Sequence, residues 1–282
     1  LQHVIEDVTQ AYEEYDLNKV VHYLVDFLND DISNWYIRSN RRRFWASELT
    51  EDKQAVYETL YEALVAFAKL AAPITPFITE EIYRNLTGES SVHLADFPVA
   101  DKALCSKAIE EQMNLVRDIC SLGRNAREEA AIKVRQPLQA IILPKVDEAV
   151  IGDLKSIILE ELNVKEIVYQ EDMSNYMDYI VKPNFRVVGK ILGPKIKQFQ
   201  EALSKLTMQE VNQIKAGYYT LILDGEEMKI TEDMIITTLQ NKPGYYAASN
   251  GVTSVILDTT LTKELILEGL AREFVRKVQS LR

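Results

Sequence analysis

The sequence predicts an α-helical bundle over residues 1 to 136, followed by a smaller α/β (α+β) region with hairpins over residues 137 to 282. Three observations carry this division. Apolar residues recur at three- and four-residue spacing from the first residue to about residue 123, with capping residues and prolines at the breaks. At Pro137 the pattern changes to an apolar run, 138 to 143, bracketed by Pro137 and Pro144 and short enough for a buried strand. Further on, Asp224-Gly225 and Asn250-Gly251 lie between β-prone runs and offer the positive φ that tight hairpin turns demand.

Each element has its own signal. Leu1, Val4, Ile5, Val8, Ala11, Tyr12 and Tyr15 form one helical stripe, and Asp16 is placed to cap a second helix from Leu17. Leu24, Leu28, Ile32 and Trp35 continue that stripe, which at about 100° per residue runs on into Ser39 and Arg42, with Arg38 and Trp45 beside them. Thr50, Glu51 and Asp52 read as the start of a third helix, carried by Val56, Leu60, Ala63, Leu64, Phe67, Leu70 and Ala71 and stopped by Pro73. Thr75 is predicted to cap the next, with Pro76 at its first position, Phe77, Ile78, Ile82 and Leu86 on its buried face, and Gly88 at its end. After an irregular passage, 90 to 101, a long helix carries Ile109, Met113, Val116, Ile119, Cys120 and Gly123. Beyond the first strand, helical spacing over 148 to 162 and a strand over 164 to 169 make a strand, helix, strand layer. Residues 179 to 188 read as extended around Pro183. Ile196, Phe199, Leu203 and Leu206 give a helix over 194 to 206, and Thr207 caps a short one ending at Gly217. The last helix is capped at Thr262 and sets Leu265, Ile266, Leu270, Phe274, Val278 and Leu281 on one side. It meets no stop signal, and the chain opens on Leu1 rather than Met, so an excised piece of a longer chain is expected.

Composition narrows the function. A chain of 282 residues with 47% hydrophobic content can supply two ordinary cores. A formal net charge of −11 excludes indiscriminate coating of nucleic acid, so any contact with RNA has to be local. The two cysteines, Cys105 and Cys120, form neither a disulfide framework nor a zinc site, which fits a reducing, cytoplasmic setting. No apolar run approaches the roughly 20 residues of a membrane span. Gly-rich phosphate loops, a Gly-x-Ser-x-Gly elbow and His-Glu-x-x-His are all missing, and His3, His22 and His93 form no catalytic pattern. Asp30-Asp31 and Glu80-Glu81 are adjacent in sequence, so on a helix they diverge by about 100° and do not share a proton. A self-sufficient enzyme is not supported.

What remains is basic and aromatic. Arg38, Arg41, Arg42 and Arg43 gather before Trp45, and together they suit an anionic, stackable partner such as an RNA loop. The alternative is a solvated charge group complementing a helix C-terminus. Arg124, Arg127, Lys133 and Arg135 form a second cluster, open to RNA contact or to an inter-domain salt bridge at a helix end. Trp35 continues the apolar stripe and reads as core; Trp45 is the stacking candidate.

Three stretches carry a resemblance. Asn34-Trp35-Tyr36-Ile37-Arg38 with Arg41-Arg42-Arg43-Phe44-Trp45, Ala72-Pro73-Ile74-Thr75-Pro76-Phe77 with Glu80-Glu81-Ile82-Tyr83, and Leu122-Gly123-Arg124 through Ile132-Lys133-Val134-Arg135-Gln136-Pro137-Leu138 together resemble the C-terminal part of a class I aminoacyl-tRNA synthetase. The first two are shared among isoleucyl, valyl and leucyl relatives. Asn163-Val164-Lys165-Glu166, Lys182-Pro183-Asn184-Phe185 with Gly189 and Gly193, and Glu268-Gly269-Leu270-Ala271-Arg272-Glu273 are similar to the long-tailed, eukaryote-like isoleucyl branch, which also occurs in bacteria. The resemblance covers essentially the whole chain. It implies a helical domain that binds the anticodon stem-loop of tRNA(Ile), then junction segments that continue the tRNA surface. The tRNA-binding residues it implies are Arg38, Arg41, Arg42, Arg43, Trp45, Arg124, Arg127, Lys133 and Arg135. It also implies catalytic and editing domains upstream, with His-Ile-Gly-His-like and Lys-Met-Ser-Lys-Ser-like motifs that do not occur here. ATP and Mg2+ would serve that catalytic domain, and no cofactor or metal is expected in this stretch. The cysteine-rich zinc site of the other bacterial branch is missing, in keeping with the branch assignment. Valyl specificity is the nearest rival within the family, and a helical protein-interaction scaffold is the rival from another class.

Overall fold

The computed structural model describes residues 1–173, 175–223 and 226–281, which fall into two compact units, Leu1–Ala108 and Ile109–Arg282. The division precedes the end of the predicted helical region, because the long helix before the first strand belongs to the second unit. Among the described residues no helix is long and apolar enough to cross a membrane.

In the first unit, α1 (Gln2–Glu13) buries Ile5, Val8 and Ala11. The Asp16 carboxylate accepts the Lys19 N–H at 3.1 Å and starts α2 (Leu17–Asp26). Val20 and Leu24 of α2 then join α1 in one core. The chain continues as a π-helical segment, Phe27–Ile37, and reaches the four-residue α3 (Arg41–Phe44). The π segment corrects the predicted stripe. Hydrogen bonding from i to i+5 widens the turn, so Phe27 and Ile32, five apart, are the buried pair, while Leu28 and Trp35 are half-buried. The Thr50 hydroxyl accepts the Lys53 N–H at 3.1 Å and opens α4 (Glu51–Ala71), whose Leu70 and Ala71 close the core of α1 and α2. Across that contact the Tyr12 hydroxyl donates to the Leu70 carbonyl at 3.0 Å.

Two expectations for α5 (Pro76–Thr87) are corrected. Thr75 occupies the N-cap position, but its hydroxyl donates back to the Ala71 carbonyl at 3.2 Å and caps no N–H of α5. The buried face is Thr79 and Tyr83, the latter packed with Ala68, Ala72 and Val92, whereas Phe77 is 91% exposed and Ile78 58%. Thr79 tolerates burial because its hydroxyl donates to the Thr75 carbonyl at 2.8 Å. Gly88, at φ +76°, ends the helix as predicted.

The second unit is built from α6 (Lys107–Glu129), β1 (Leu138–Pro144), α7 (Asp147–Ile151), α8 (Lys155–Leu162) and β2 (Val164–Gln170). The helix predicted over 148 to 162 is in two parts because Gly152 turns left-handed at φ +50°. β3 (Met177–Pro183) follows, then α9 (Phe185–Leu192), α10 (Ile196–Leu203) and α11 (Met208–Lys215), the last opened by a reciprocal capping box between Thr207 and Glu210. The predicted extension over 185 to 188 is therefore corrected to helix: Val188 and Leu192, four apart, are both buried. β4 (Tyr219–Leu223), β5 (Glu226–Ile230), β6 (Ile235–Asn241), β7 (Tyr245–Ser249), β8 (Ser254–Asp258) and α12 (Lys263–Ser280) complete the chain.

A four-stranded mixed sheet runs β2-β1-β8-β7, with β1 parallel to β2 and antiparallel to β8. β3 pairs with β6, and β4 with β5, both antiparallel. Both predicted hairpins have their strands paired. Asp224-Gly225 lies outside the described residues, and Asn250-Gly251 sits in a four-residue connection, 250–253, with Gly251 at φ +87°. One core gathers Val188, Phe199, Leu203, Val211, Ile214 and Ile230.

α12 begins at the Thr262 cap, as predicted, but buries only Leu265 and Gly269. A Cβ on Gly269 would stand 2.2 Å from the Gln136 side-chain oxygen, so its bare backbone admits the Gln136 amide, which donates to the Leu265 carbonyl at 2.7 Å. Leu270, Phe274, Val278 and Leu281, which the sequence sets on one side of the helix, are exposed.

Candidate nucleic-acid interface

A helix of four residues has no stability of its own, so side chains have to hold α3 in place. Phe44 supplies the apolar anchor. It is buried edge-to-face between Tyr36, with centroids 6.3 Å apart, and Tyr57, 5.1 Å away. The two tyrosines are fixed in turn, since the Tyr36 hydroxyl donates to the Val56 carbonyl at 3.0 Å and the Tyr57 hydroxyl to the Phe44 carbonyl at 3.3 Å. Polar contacts complete the frame. The Arg43 guanidinium makes two bonds to the Asp52 carboxylate, 2.7 and 2.5 Å, and reaches the Asp52 carbonyl at 3.1 Å and the Asn40 side-chain oxygen at 2.7 Å. The Ser39 hydroxyl donates to the Trp35 carbonyl and the Asn40 amide to the Tyr36 carbonyl, both at 2.8 Å, which satisfies acceptors where the π segment ends.

What this frame presents is a cavity of about 410 Å³ whose walls include Ser33, Ile37, Arg38, Arg41, Trp45 and Tyr57. Trp45 is 73% exposed, and the Arg41 guanidinium lies 4.5 Å above its ring centroid. The pairing keeps a flat cation parked on an aromatic face that is otherwise open to solvent. A cavity with an indole face, two guanidinium groups, a hydroxyl and an apolar wall matches an unstacked base attached to a phosphate, for which stacking and charge pairing act together.

The structure therefore brings Arg38, Arg41 and Trp45 to one cavity. It places Arg42 exposed on α3, outside the cavity wall, and commits Arg43 to Asp52. Sequence reasoning missed Tyr57, Ser33 and Ile37; the available signal was Tyr57 itself, an aromatic one position off the apolar stripe of α4.

The second cluster, in the second unit, is different in character. Arg124 is ion-paired with Glu161, and its Nε is buried with no acceptor among the described residues. Arg135 lies 3.7 Å from Glu273, and the Lys133 side chain is exposed. Arg127 is 1% exposed and is corrected from the tRNA-binding set. Its guanidinium donates to the Leu162 carbonyl at 3.0 and 2.6 Å, to Asn163 at 3.2 Å, to Lys133 at 3.1 Å and to Gln136 at 3.0 Å. Burial pulls its pKa down to about 10, which still leaves it charged at neutral pH. A guanidinium enclosed by four carbonyls has no access to an RNA phosphate; it ties α6 to the end of α8 and to the turn before β1.

Comparison with known proteins gives a consistent result. Residues 1–142 match the family described as the anticodon-binding domain of tRNA ligase. Over nearly the whole chain, the sequence is similar to proteins named isoleucine-tRNA ligase: 41% identical to that of Chlamydia caviae, 40% to that of Cytophaga hutchinsonii and 39% to that of Treponema denticola. These alignments cover 99%, 100% and 99% of this chain but 27%, 26% and 26% of the relatives. The chain thus spans about a quarter of the length of the curated relatives it matches.

Proposed function

Because this chain belongs to the anticodon-binding domain family of tRNA ligases, we propose that it recognises the anticodon stem-loop of tRNA(Ile) as the tRNA-binding part of an isoleucine-tRNA ligase. The observation that carries the reading is the cavity beside α3, where Arg41 lies over the exposed Trp45 ring and Arg38 stands on the same wall. In the proposed mechanism an anticodon base leaves the loop stack, displaces water from the indole face and is held by stacking, while Arg38, Arg41 and the exposed Arg42 neutralise the adjoining phosphates. The names of the relatives support isoleucyl over valyl specificity. Lys133 and Arg135 extend the same basic function in the second unit.

In the whole ligase, a cytoplasmic enzyme on this reading, the adenylate-forming step would use ATP and Mg2+ in the catalytic domain, with editing in a further domain. This stretch contributes recognition only, so it is expected to show no isoleucine-dependent ATP-pyrophosphate exchange.

The test compares binding of two synthetic stem-loops, one with the isoleucine anticodon and one with an altered anticodon, at one fixed salt concentration. Trp45→Ala is expected to cost about 1–3 kcal/mol with the cognate loop and less with the altered one. Arg42→Ala is expected to weaken both equally and to lower the salt slope by about one phosphate contact. If alanine at Arg38, Arg41 and Trp45 leaves the ratio of the two affinities unchanged, the cavity reads no base. If affinity is also insensitive to salt, the arginines serve a protein partner instead.

A further inference from the structure

The frame that holds α3 includes a carboxylate, Asp52. Asp52 stands in the first turn of α4, its side chain 64% exposed, and its carboxylate accepts two hydrogen bonds from Arg43. An exposed negative charge beside an anionic ligand ordinarily opposes binding, so electrostatics alone assigns Asp52 an inhibitory effect. The geometry argues the other way. α3 is too short to hold its own direction, and Arg43, in its middle, has its donors on Asp52 and Asn40. Those bonds join α3 both to α4 and, through the Asn40 amide on the Tyr36 carbonyl, to the end of the π segment. Arg41 and Trp45 lie two residues to either side of Arg43, and their stacking requires that the backbone between them keep its turn. Bidentate pairing of a guanidinium and a carboxylate fixes orientation as well as distance, which an isolated surface ion pair with one contact does not.

We propose that Asp52 is a positioning residue for RNA recognition: it holds Arg43 in a fork that sets α3, so that this carboxylate strengthens the binding of an anionic ligand instead of weakening it. The proposal rests on the stem-loop reading given above. It assigns Arg43 a different part from its neighbours, as the clamp of the cavity and not as one of its contacts.

Glu51 supplies the control, because it has the same charge, lies in the same helical turn and is also exposed, but makes no bond to Arg43 among the described residues. Asp52→Asn and Glu51→Gln therefore remove the same charge from the same place on the helix dipole, and only the first breaks the fork. The experiment measures affinity for the cognate and anticodon-altered stem-loops in the 282-residue chain. In parallel, the emission and acrylamide quenching of Trp45 are recorded without RNA, in a Trp35→Phe background that leaves one indole. Asp52→Asn is expected to weaken the cognate loop by roughly threefold to tenfold, a part of the stacking contribution, and to reduce discrimination between the loops. It should also change the Trp45 quenching constant. Glu51→Gln is expected to leave quenching at the parent value and affinity equal or slightly tighter. If both variants tighten binding alike and quenching is unchanged in both, Asp52 is an ordinary surface charge and the proposal is overturned. Arg41→Ala and Trp45→Ala report separately on the stem-loop reading. Should neither weaken binding, that reading fails, and the quenching comparison between Asp52→Asn and Glu51→Gln still decides whether the fork positions the indole.

Discussion

Replacing Arg127 by Met tests the reassignment of the second basic cluster in one experiment. The substitution keeps a long apolar stem in place and removes every donor. Four carbonyls lose a partner: Leu162, Asn163, Lys133 and Gln136. The Leu162 oxygen, whose two contacts are buried, bears the full penalty of an unsatisfied acceptor, about 1–3 kcal/mol. The Asn163 and Lys133 carbonyls keep a backbone donor each, the Leu138 N–H at 3.1 Å and the Gln136 N–H at 2.9 Å, and the Gln136 carbonyl borders solvent and recovers part of its bonding from water, so these three together add about 1 kcal/mol. Against this, the unfavourable desolvation that draws the guanidinium down to about pKa 10 is relieved. A net loss of about 3 kcal/mol from the second unit follows, the scale of breaking a buried hydrogen-bond network from one side. Fluorescence does not report it, since both tryptophans lie in the first unit. The assay is amide hydrogen exchange of peptides from α6 and β1, where 3 kcal/mol appears as roughly a hundredfold loss of protection if exchange reports the opening equilibrium. Arg127→Lys, with three donors on one nitrogen, should fall between parent and Met. The reasoning is refuted if Arg127→Met leaves exchange at the parent rate and instead lowers the salt slope of stem-loop binding by about one phosphate contact.

Two further predictions concern the same unit. A Cβ at Gly123 would stand 2.4 Å from Leu162 Cδ1 and 2.7 Å from Cδ2, and Leu162 is fully buried. Gly123→Ala gains about 1 kcal/mol of helix propensity but forces overpacking that costs about 1–3 kcal/mol, so α6 should lose protection from exchange; a gain would refute the clash. Burial raises the Asp147 carboxyl above its ordinary range, against the lowering effect of the bond donated by Thr253 at 2.6 Å. A raised acid favours the folded state when protonated, so its contribution is fully present below the unfolded carboxyl value and is lost as pH rises through the folded one. Asp147→Asn should remove that loss and protect α7 and β8 better than the parent at pH 7 but not at the acid end; equal protection at both would refute it.

How far the sequence announces these features depends on whether the deciding force is local. The caps at Asp16, Thr50, Thr207 and Thr262, the stops at Pro73 and Gly88, and the strand after Pro137 are legible because backbone chemistry within a few residues settles them. Misreadings arise where a distant partner decides. Nothing local marks Arg127 for burial, because its acceptors include carbonyls 35 and 36 residues away. Phe77 and Ile78 fit a helical stripe, yet Thr79 and Tyr83 are the residues that meet Ala68, Ala72 and Val92 across the bundle or bond back to the preceding turn. Pro183 draws the reading of residues 185 to 188 toward strand, although its restriction acts on the residue before it and leaves Phe185 onward to be set by Val188 and Leu192. At the cavity, Arg38, Arg41 and Trp45 could be named from composition, whereas the fork of Arg43 depends on a turn that only the fold supplies.

The π-helical segment has a consequence for how the arginines came to point where they do. Between Phe27 and Ile37 the chain carries slack: it places five residues where an α-turn would place four. Forcing one such turn into ordinary α form with every residue kept would push the extra residue on into the next turn, without changing any side chain of the cavity. Everything downstream would then rotate by about 100° about the helix axis. Phe44 would leave its slot between Tyr36 and Tyr57, and Arg38 and Arg41 would be carried around to another side of the helix. The direction of this basic surface is thus written in the wide turn ahead of it as much as in the arginines themselves, and a chain with one fewer spacer would present them the same way only by closing that turn to α form.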